Sequence, residues 1–333
     1  MSQNGTYTVR AGVVGVGSMG QNHARVYAEL PEVELVGVSD VDLDRAGTIA
    51  DRHGVEALEL DALLDAVDAV SIAVPTRFHY DTAKACIERG VHVLVEKPFV
   101  DDPARGRELV DLAEARDVVL QVGHIERFNP AVVALREIAP DLDIIAVDAQ
   151  RLGPPLDREI QDTAVMDLMI HDIDVVLDLL QGEVTARNAV GAKDGRYAVA
   201  NMAFDDGAVC QLTASRVTQE KVRTLSISAQ DCRVKVDYID QTVEIHRSSV
   251  PSYANEEGTV RYRHENVVER LTVDRREPLK NELRSFVEAA DTGSTPVVTG
   301  EDGLRVLEIA RDIDRLAGPK RARASAAVHA DLD

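Results

Sequence analysis

The sequence predicts an α/β chain in two parts: a parallel sheet covered on both faces, then an α+β part built on a large, mostly antiparallel sheet. Three observations carry this. Over the first 122 residues, apolar and β-branched runs alternate with helical segments. After Gly123 the rhythm changes, and from Val184 to Val273 only strand-like segments follow one another. The chain then closes on two helical segments. Continuous apolar strands separated by helices mean a parallel sheet buried on both sides. Strands separated only by turn signals, such as Asp206-Gly207 and Lys193-Asp194-Gly195, mean an antiparallel one. A chain of 333 residues suits two domains of ordinary size. The expected division is 1–122, 123–318 and a loose Ala/Arg-rich tail over 319–333.

Taken in order, the first part offers strand runs at Val9–Val16, Val33–Ser39, Ala69–Val74, Val91–Val95 and Val118–Val122. Helical spacing marks Ser18–Leu30, Asp42–His53, Tyr80–Arg89 and Pro103–Arg116. Gly90 reads as a C-cap glycine and Pro103 as a first-turn proline. The second part begins with a strand at Ile144–Leu152 and one long helix, Asp162–Leu180. Seven strands follow, Val184–Ala192, Ala198–Phe204, Ala208–Val217, Thr224–Ala229, Arg233–Tyr238, Thr242–His246 and Val267–Val273. The closing helices are Lys280–Thr292 and Glu301–Ala317.

Charge excludes whole classes of partner. With 58 acids against 37 bases the net charge is −21, the opposite of a nucleic-acid footprint and unsuited to anionic lipid. The bases are 30 arginines and only 7 lysines, and the acids are 34 aspartates and 24 glutamates. That balance suits a protein of a salty cytosol, where screening removes self-repulsion. Three cysteines, Cys86, Cys210 and Cys232, form no CxxC or metal spacing, as in a reducing compartment. No stretch reaches the ~18 apolar residues of a membrane span, and the N-terminus lacks a signal-peptide pattern. A cytoplasmic location follows.

The strongest local motif is Gly15-Val16-Gly17-Ser18-Met19-Gly20. It follows a β-run, opens a helix, and precedes by 20 residues an acid, Asp40. That is the context of a Rossmann dinucleotide site. Gly15 permits the tight turn, Gly17 lets backbone approach a pyrophosphate, and Gly20 lets helix pack on strand. The helix end that Ser18 and Met19 begin offers N–H groups and a positive dipole end to phosphates. Asp40 can accept from the adenosine ribose hydroxyls and repel a 2′-phosphate. The residues just after it supply no arginine before Arg45, so NAD is expected over NADP. Pro75-Thr76-Arg77-Phe78-His79 follows a strand at the carboxyl edge of the sheet, where ligands bind in open α/β folds.

Two further clusters suit chemistry. Glu96-Lys97-Pro98 ends another strand at the same edge, and an ammonium there can orient a hydroxyl and ease its deprotonation. Its bland alternative is a lysine that snorkels outward. In Met166-Asp167-Leu168-Met169-Ile170-His171, Asp167 and His171 stand i and i+4 and would share a helix face. Such a pair suits general-base work near neutral pH, or is a core histidine bonded to its neighbour. The spacing is not that of a metal site.

Taken together, these motifs resemble the glucose–fructose oxidoreductase/inositol dehydrogenase/MocA family over nearly the whole chain. The resemblance rests on Gly15–Gly20, Pro75-Thr76 with His79, Glu96-Lys97-Pro98, and Asp167 with His171. It implies a dehydrogenase with Lys97 as catalytic lysine, His171 as the proton-transferring histidine and Asp167 as the partner that orients substrate. It also implies cofactor contacts from Val74, Pro75, Thr76, His79, Glu96 and Lys97, and a cis Lys97–Pro98 bond. The segment Val122-Gly123-His124-Ile125-Glu126-Arg127-Phe128-Asn129-Pro130-Ala131, with Arg151-Leu152-Gly153-Pro154, is similar to the branch that oxidises UDP-N-acetylglucosamine at C3. Met169 stands where many other members of the family have glycine, which fits that branch better than the inositol dehydrogenases. Arg127, Asn129 and Arg151 are the expected substrate contacts, since guanidinium suits a diphosphate; the alternative is ion pairing. A free sugar, inositol or anhydro sugar as substrate, and a non-catalytic cofactor-binding regulator, remain as rival readings. A homo-oligomer, dimer or tetramer, is expected through the uncovered face of the antiparallel sheet.

Overall fold

A computed structural model describes residues 8–155, 162–248, 252–256, 259–263 and 266–318. The tail expected over 319–333 lies outside these residues.

The first sheet has six parallel strands: β1 (Val9–Val14), β2 (Val33–Ser39), β3 (Glu56–Ala57), β4 (Ala69–Ile72), β5 (His92–Glu96) and β6 (Leu120–Gly123). Their order is β3-β2-β1-β4-β5-β6, so the winding reverses between β1 and β4. Side chains alternate between the faces. Ala11 and Val13 join one core with Tyr27 of α1 (Ser18–Glu29) and Ile49 of α2 (Leu43–His53). Val14, Val70 and Ile72 join the other, with Leu63 of α3 (Leu60–Ala66), Ala83 of α4 (His79–Glu88) and Leu109 of α5 (Pro103–Ala115). The short β3 and α3 were not anticipated, because a two-residue strand and a seven-residue helix fall below the length at which periodicity is visible.

Beyond β6 the chain forms α6 (Pro130–Ile138), which the sequence reading also missed. Its signals were local: Asn129 accepts from the Ala131 N–H at 3.1 Å, and proline takes the first turn. Next come β7 (Ile144–Leu152) and a segment expected to be one long helix. It is a turn of π-helix (Val165–Met169) running into α7 (Ile170–Leu180). The strands β8 (Val184–Ala192), β9 (Tyr197–Phe204), β10 (Val209–Ser215), β11 (Val222–Ala229), β12 (Arg233–Asp237) and β13 (Thr242–Ser248) follow. The hairpin β14 (Ser252–Glu256) and β15 (Thr259–Arg263) stands apart, and β16 (Asn266–Arg270) closes the edge. The eight-stranded order is β16-β13-β12-β11-β7-β10-β9-β8, antiparallel except where β7 and β10 run together. One face packs on α6, α7 and α9 (Gly300–Ala317). Among the described residues no helix covers the other, and Ala186, Asn188, Asn201, Ala203 and Gln211 line a hollow of about 420 Å³ on it.

One expected boundary moves. The helix α8 (Pro278–Thr292) was assigned to the second domain, but Leu279, Leu283, Phe286 and Val287 pack in the first domain's core with Val9 and Tyr27. The chain returns because the apolar stripe of α1 needs a cover that the local βα units do not supply.

Candidate active site

The dinucleotide half of the site lies at the switch between β1 and β4. The chain turns at Gly15 with φ +85°, and a Cβ there would stand 2.8 Å from the backbone of residue 74. A Cβ on Gly20 would stand 1.8 Å from the Gly15 carbonyl oxygen, so α1 packs this closely only with glycine. Gly17 differs: a Cβ would meet no atom within 4 Å. It caps α1 without any side-chain hydrogen bond, so the first N–H groups of the helix face open space. This suits a pyrophosphate. Gly15, Gly17, Met19, Asp40, Val74 and Pro75 all line one cleft of about 610 Å³. Ser18 is exposed on the first turn of α1.

Asp40 is placed as expected, at the end of β2 beside the glycine turn. It accepts from the Val16 N–H at 2.8 Å and the Asp42 N–H at 2.9 Å. The expectation about Arg45 needs correction. From the first turn of α2 its guanidinium folds back on Asp40, with Nη2 2.8 Å from Oδ1 and Nε 3.2 Å from Oδ2. Burial works to raise the Asp40 carboxyl, but these bonds win and hold it below the usual range. The distance in sequence was misleading because Asp42 caps α2 and turns its first face toward Asp40.

Thr76, His79 and Glu96, also expected to touch the cofactor, do not line that cleft. His79 is buried, with Nδ1 3.0 Å from the Pro98 carbonyl oxygen and Nε2 2.8 Å from that of Val74. It staples two edge loops together. Glu96 is buried, held by His23 Nε2 at 2.8 Å and by the Lys97 N–H at 3.2 Å. Burial acts most strongly and raises its proton affinity, but the contacts with His23 and Lys97 together outweigh it, and the carboxylate stays charged behind Lys97. Thr76 borders a different cavity, of about 590 Å³, with Pro98, Met166 and Arg311.

The chemical half begins at Lys97, where the bond to Pro98 is cis. Its Nζ donates to the Asp167 carbonyl oxygen at 2.8 Å and to Oδ1 at 3.2 Å. The other carboxylate oxygen of Asp167 lies 3.5 Å from Nη1 of Arg216. The structure therefore joins Lys97 and Asp167, 70 residues apart. It does not form the expected Asp167–His171 pair. The π turn closes i→i+5 bonds, so residues four apart across it no longer stack. His171 is half-buried, with Nδ1 deep and without a partner among the described residues, which leaves Nε2 as the nitrogen a substrate can reach. Burial, and then the positive charges of Lys97 and Arg151, push its proton affinity well below that of free imidazole. A neutral imidazole is a proton acceptor. His124, buried nearby, is pushed down to about 3 by burial, Arg127 and Lys97.

The three expected substrate contacts are spent on the fold. Arg127 is 4% exposed and bonds Asp174 at 2.9 Å and Asp178 at 2.7 Å. Arg151 forks onto Asp172 at 2.9 and 2.8 Å and reaches Glu126 at 2.7 Å. Asn129 caps α6 and donates to the Tyr238 carbonyl oxygen at 3.0 Å. The signal for this was legible. Asp172 and Asp174 stand among Ile173, Val175, Val176 and Leu177, and acids on a buried helix require buried cations. Arg216 and Arg223 were missed because nothing local separates them from the other arginines.

Comparison with known proteins agrees with this fold. A model of the oxidoreductase family with an NAD-binding Rossmann fold, Gfo/Idh/MocA, matches residues 9–124, and the GFO/IDH/MocA C-terminal domain matches 147–245. The chain is 36% identical over 313 residues to UDP-N-acetylglucosamine 3-dehydrogenase of Acidithiobacillus ferrooxidans, covering 92% of this chain and 96% of that one. It is 28% identical to an inositol 2-dehydrogenase of Rhizobium meliloti, covering 94% and 98%. A solved structure of the Acidithiobacillus enzyme matches with a TM-score of 0.83 at 35% identity, covering 93% and 97%.

Proposed function

The chain belongs to the Gfo/Idh/MocA family of oxidoreductases, and from that premise we propose that it oxidises a ring hydroxyl of a nucleotide sugar, such as UDP-N-acetylglucosamine at C3, with NAD as acceptor. The family makes it a sugar dehydrogenase that uses a nicotinamide cofactor. The observation that carries the reading is Lys97, at the end of β5, bonded to Asp167 and with its charge acting on His171. Support for the nucleotide sugar comes from the 36% identical relative.

In this mechanism Asp167 holds the Lys97 ammonium in place from two oxygens. Lys97 lends its positive charge to the substrate hydroxyl and stabilises the alkoxide as it forms. His171, neutral for the reasons above, takes the hydroxyl proton at Nε2. Bound nicotinamide supplies the hydride acceptor. Residues Gly15, Gly17, Met19 and Asp40 hold the dinucleotide. The preference for NAD rests on Asp40, whose carboxylate faces the place of the second ribose. Arg45 offsets part of that charge, so the preference is expressed as a ratio of affinities. The buried free thiols of Cys86, Cys210 and Cys232 support a reducing, cytoplasmic setting. The helix-free face of the second sheet supports self-association there; sedimentation as a monomer would overturn that part.

The test is turnover in molar KCl with NAD or NADP against UDP-N-acetylhexosamines, free sugars and inositol. Reduction of NAD with the UDP-sugars alone is the expected result. Lys97→Ala should then lower kcat by about 10²–10⁴-fold and leave NAD binding intact. Turnover of free sugars alone, or an active Lys97→Ala, sinks the reading.

A further inference from the structure

The arginines buried around the chemistry are matched to carboxylates, with one exception. Arg127 has Asp174 and Asp178, Arg151 has Asp172 and Glu126, and Arg216 faces Asp167. Arg223, half-buried on β11, has no carboxylate partner among the described residues. Its side-chain hydrogen bonds both leave from Nη1, to the Leu152 carbonyl oxygen at 2.8 Å and that of Val222 at 3.0 Å. Nε and Nη2 of its fork have no partner among the described residues. A cation half out of water without a counter-charge is costly unless something anionic arrives to meet it.

Sheet register puts this cation at the reaction site. Arg223 lies directly across from Arg151, whose carboxylate partner Asp172 follows His171 in the chain. At the same end of the sheet Leu152 pairs with both Ser215 and Val222, so Arg216 and Arg223 rise from the two strands that flank β7. Arg216 carries a second unspent donor, since its Nε is buried without a partner among the described residues. Its Nη1 reaches Asp167, the residue that holds Lys97. The charge of Arg223 is felt at both His171 and Asp167. Arg223 therefore brings free donors to the reacting residues, with Arg216 held on Asp167 and the Asp162 carbonyl nearby. The planar fork of Arg223 matches paired phosphoryl oxygens.

We propose that Arg223, with Arg216 across β7 from it, is the anion-binding site of the substrate cleft and takes the diphosphate of the nucleotide sugar. This rests on the nucleotide-sugar reading above. It replaces Arg127 and Arg151, the arginines that the sequence suggested, with an arginine that has no carboxylate partner among the described residues. Asp167 then joins the two ends of the substrate, holding Lys97 at the hydroxyl through one oxygen and Arg216 at the diphosphate through the other.

The experiment measures kinetics with UDP-N-acetylglucosamine, and calorimetric binding of UDP and of NAD, for the wild type, Arg223→Gln and Arg223→Lys. Loss of a charged hydrogen bond should weaken UDP binding and raise KM by about tenfold to a hundredfold in Arg223→Gln. The kcat should change much less and NAD binding should not move. Arg223→Lys should recover part of the loss, and it carries the test if the glutamine variant does not fold. Equal UDP affinity in the wild type and a folded Arg223→Gln overturns the assignment and leaves the enzyme reading standing. A wild type that neither turns over UDP-sugars nor binds UDP overturns the nucleotide-sugar reading itself.

Discussion

The two halves of the cleft are made of different materials. The dinucleotide half is backbone: a turn at positive φ, a helix end without a cap, and glycines whose missing Cβ atoms make room. The substrate half is charge: Lys97, Asp167, Arg216 and Arg223 at the front, with Arg127–Asp174 and Arg151–Asp172 buried behind them. A backbone site is specified by neighbours in sequence. A charged site is specified by side chains from distant segments, and it depends on every partner being present. The halves should therefore fail differently when mutated.

The largest expected effect lies in the charged half. Asp174 is buried, and burial pushes its carboxyl up to about 6 even against the pull of Arg127. Removing it strands Arg127 with Asp178 as its one remaining carboxylate partner, which Arg136 also shares. Breaking a buried pair from one side costs about 3–5 kcal/mol. We expect Asp174→Ala to lose about 3 kcal/mol, since Asp178 remains. Chemical denaturation measures this, and a loss within the range of surface substitutions, about 0.5 kcal/mol, would show that the pair does not hold the site.

This contrast also explains what the sequence disclosed. Gly15, Gly17, Gly20 and Asp40 were readable because each is required by its immediate neighbours, and Lys97 because it ends an apolar run. Arg127 and Arg151 were picked out correctly as unusual but given the wrong task. Their partners lie 47 and 21 residues away in sequence, on a helix whose spacing alone does not say which cations it meets. The Asp167–His171 pair failed for a local reason, since a π turn shifts the phase of a helix without altering its apolar pattern. The return of α8 to the first domain was invisible because an amphipathic helix does not say which sheet it covers.

A smaller effect separates two glycines of the backbone half. At Gly17 a methyl meets nothing in the protein, so Gly17→Ala should melt close to wild type. It fills the space where backbone approaches phosphate, and we expect NAD affinity to fall about tenfold, one charged hydrogen bond's worth. At Gly20 the methyl would lie 1.8 Å from a backbone oxygen. Gly20→Ala must displace α1 and should lower both melting temperature and affinity. Thermal melts with calorimetric NAD titration distinguish them; equal melting temperatures would mean that the turn is softer than its packing implies.

The smallest effect is a change of slope, and it lies where the halves meet. Glu282 of α8 is fully buried, and neither carboxylate oxygen has a partner among the described residues. Burial first, then the acids facing it, Glu96 on β5, Asp174 on α7 and Glu126 after β6, raise its proton affinity well above that of an ordinary glutamate. His23 on α1 is bonded to Glu96, and Tyr27 on the same helix bonds Ser71. The folded chain therefore keeps this proton after the unfolded chain has released it. Its contribution to stability is complete below about pH 4.5 and is lost as pH rises toward the folded value. Glu282→Gln removes that titration. Relative to wild type it should gain stability steadily as pH climbs from 4.5, while the difference stays flat below that value. Denaturation across pH measures it, and parallel curves for the two proteins would mean that Glu282 is ionised and has found a partner.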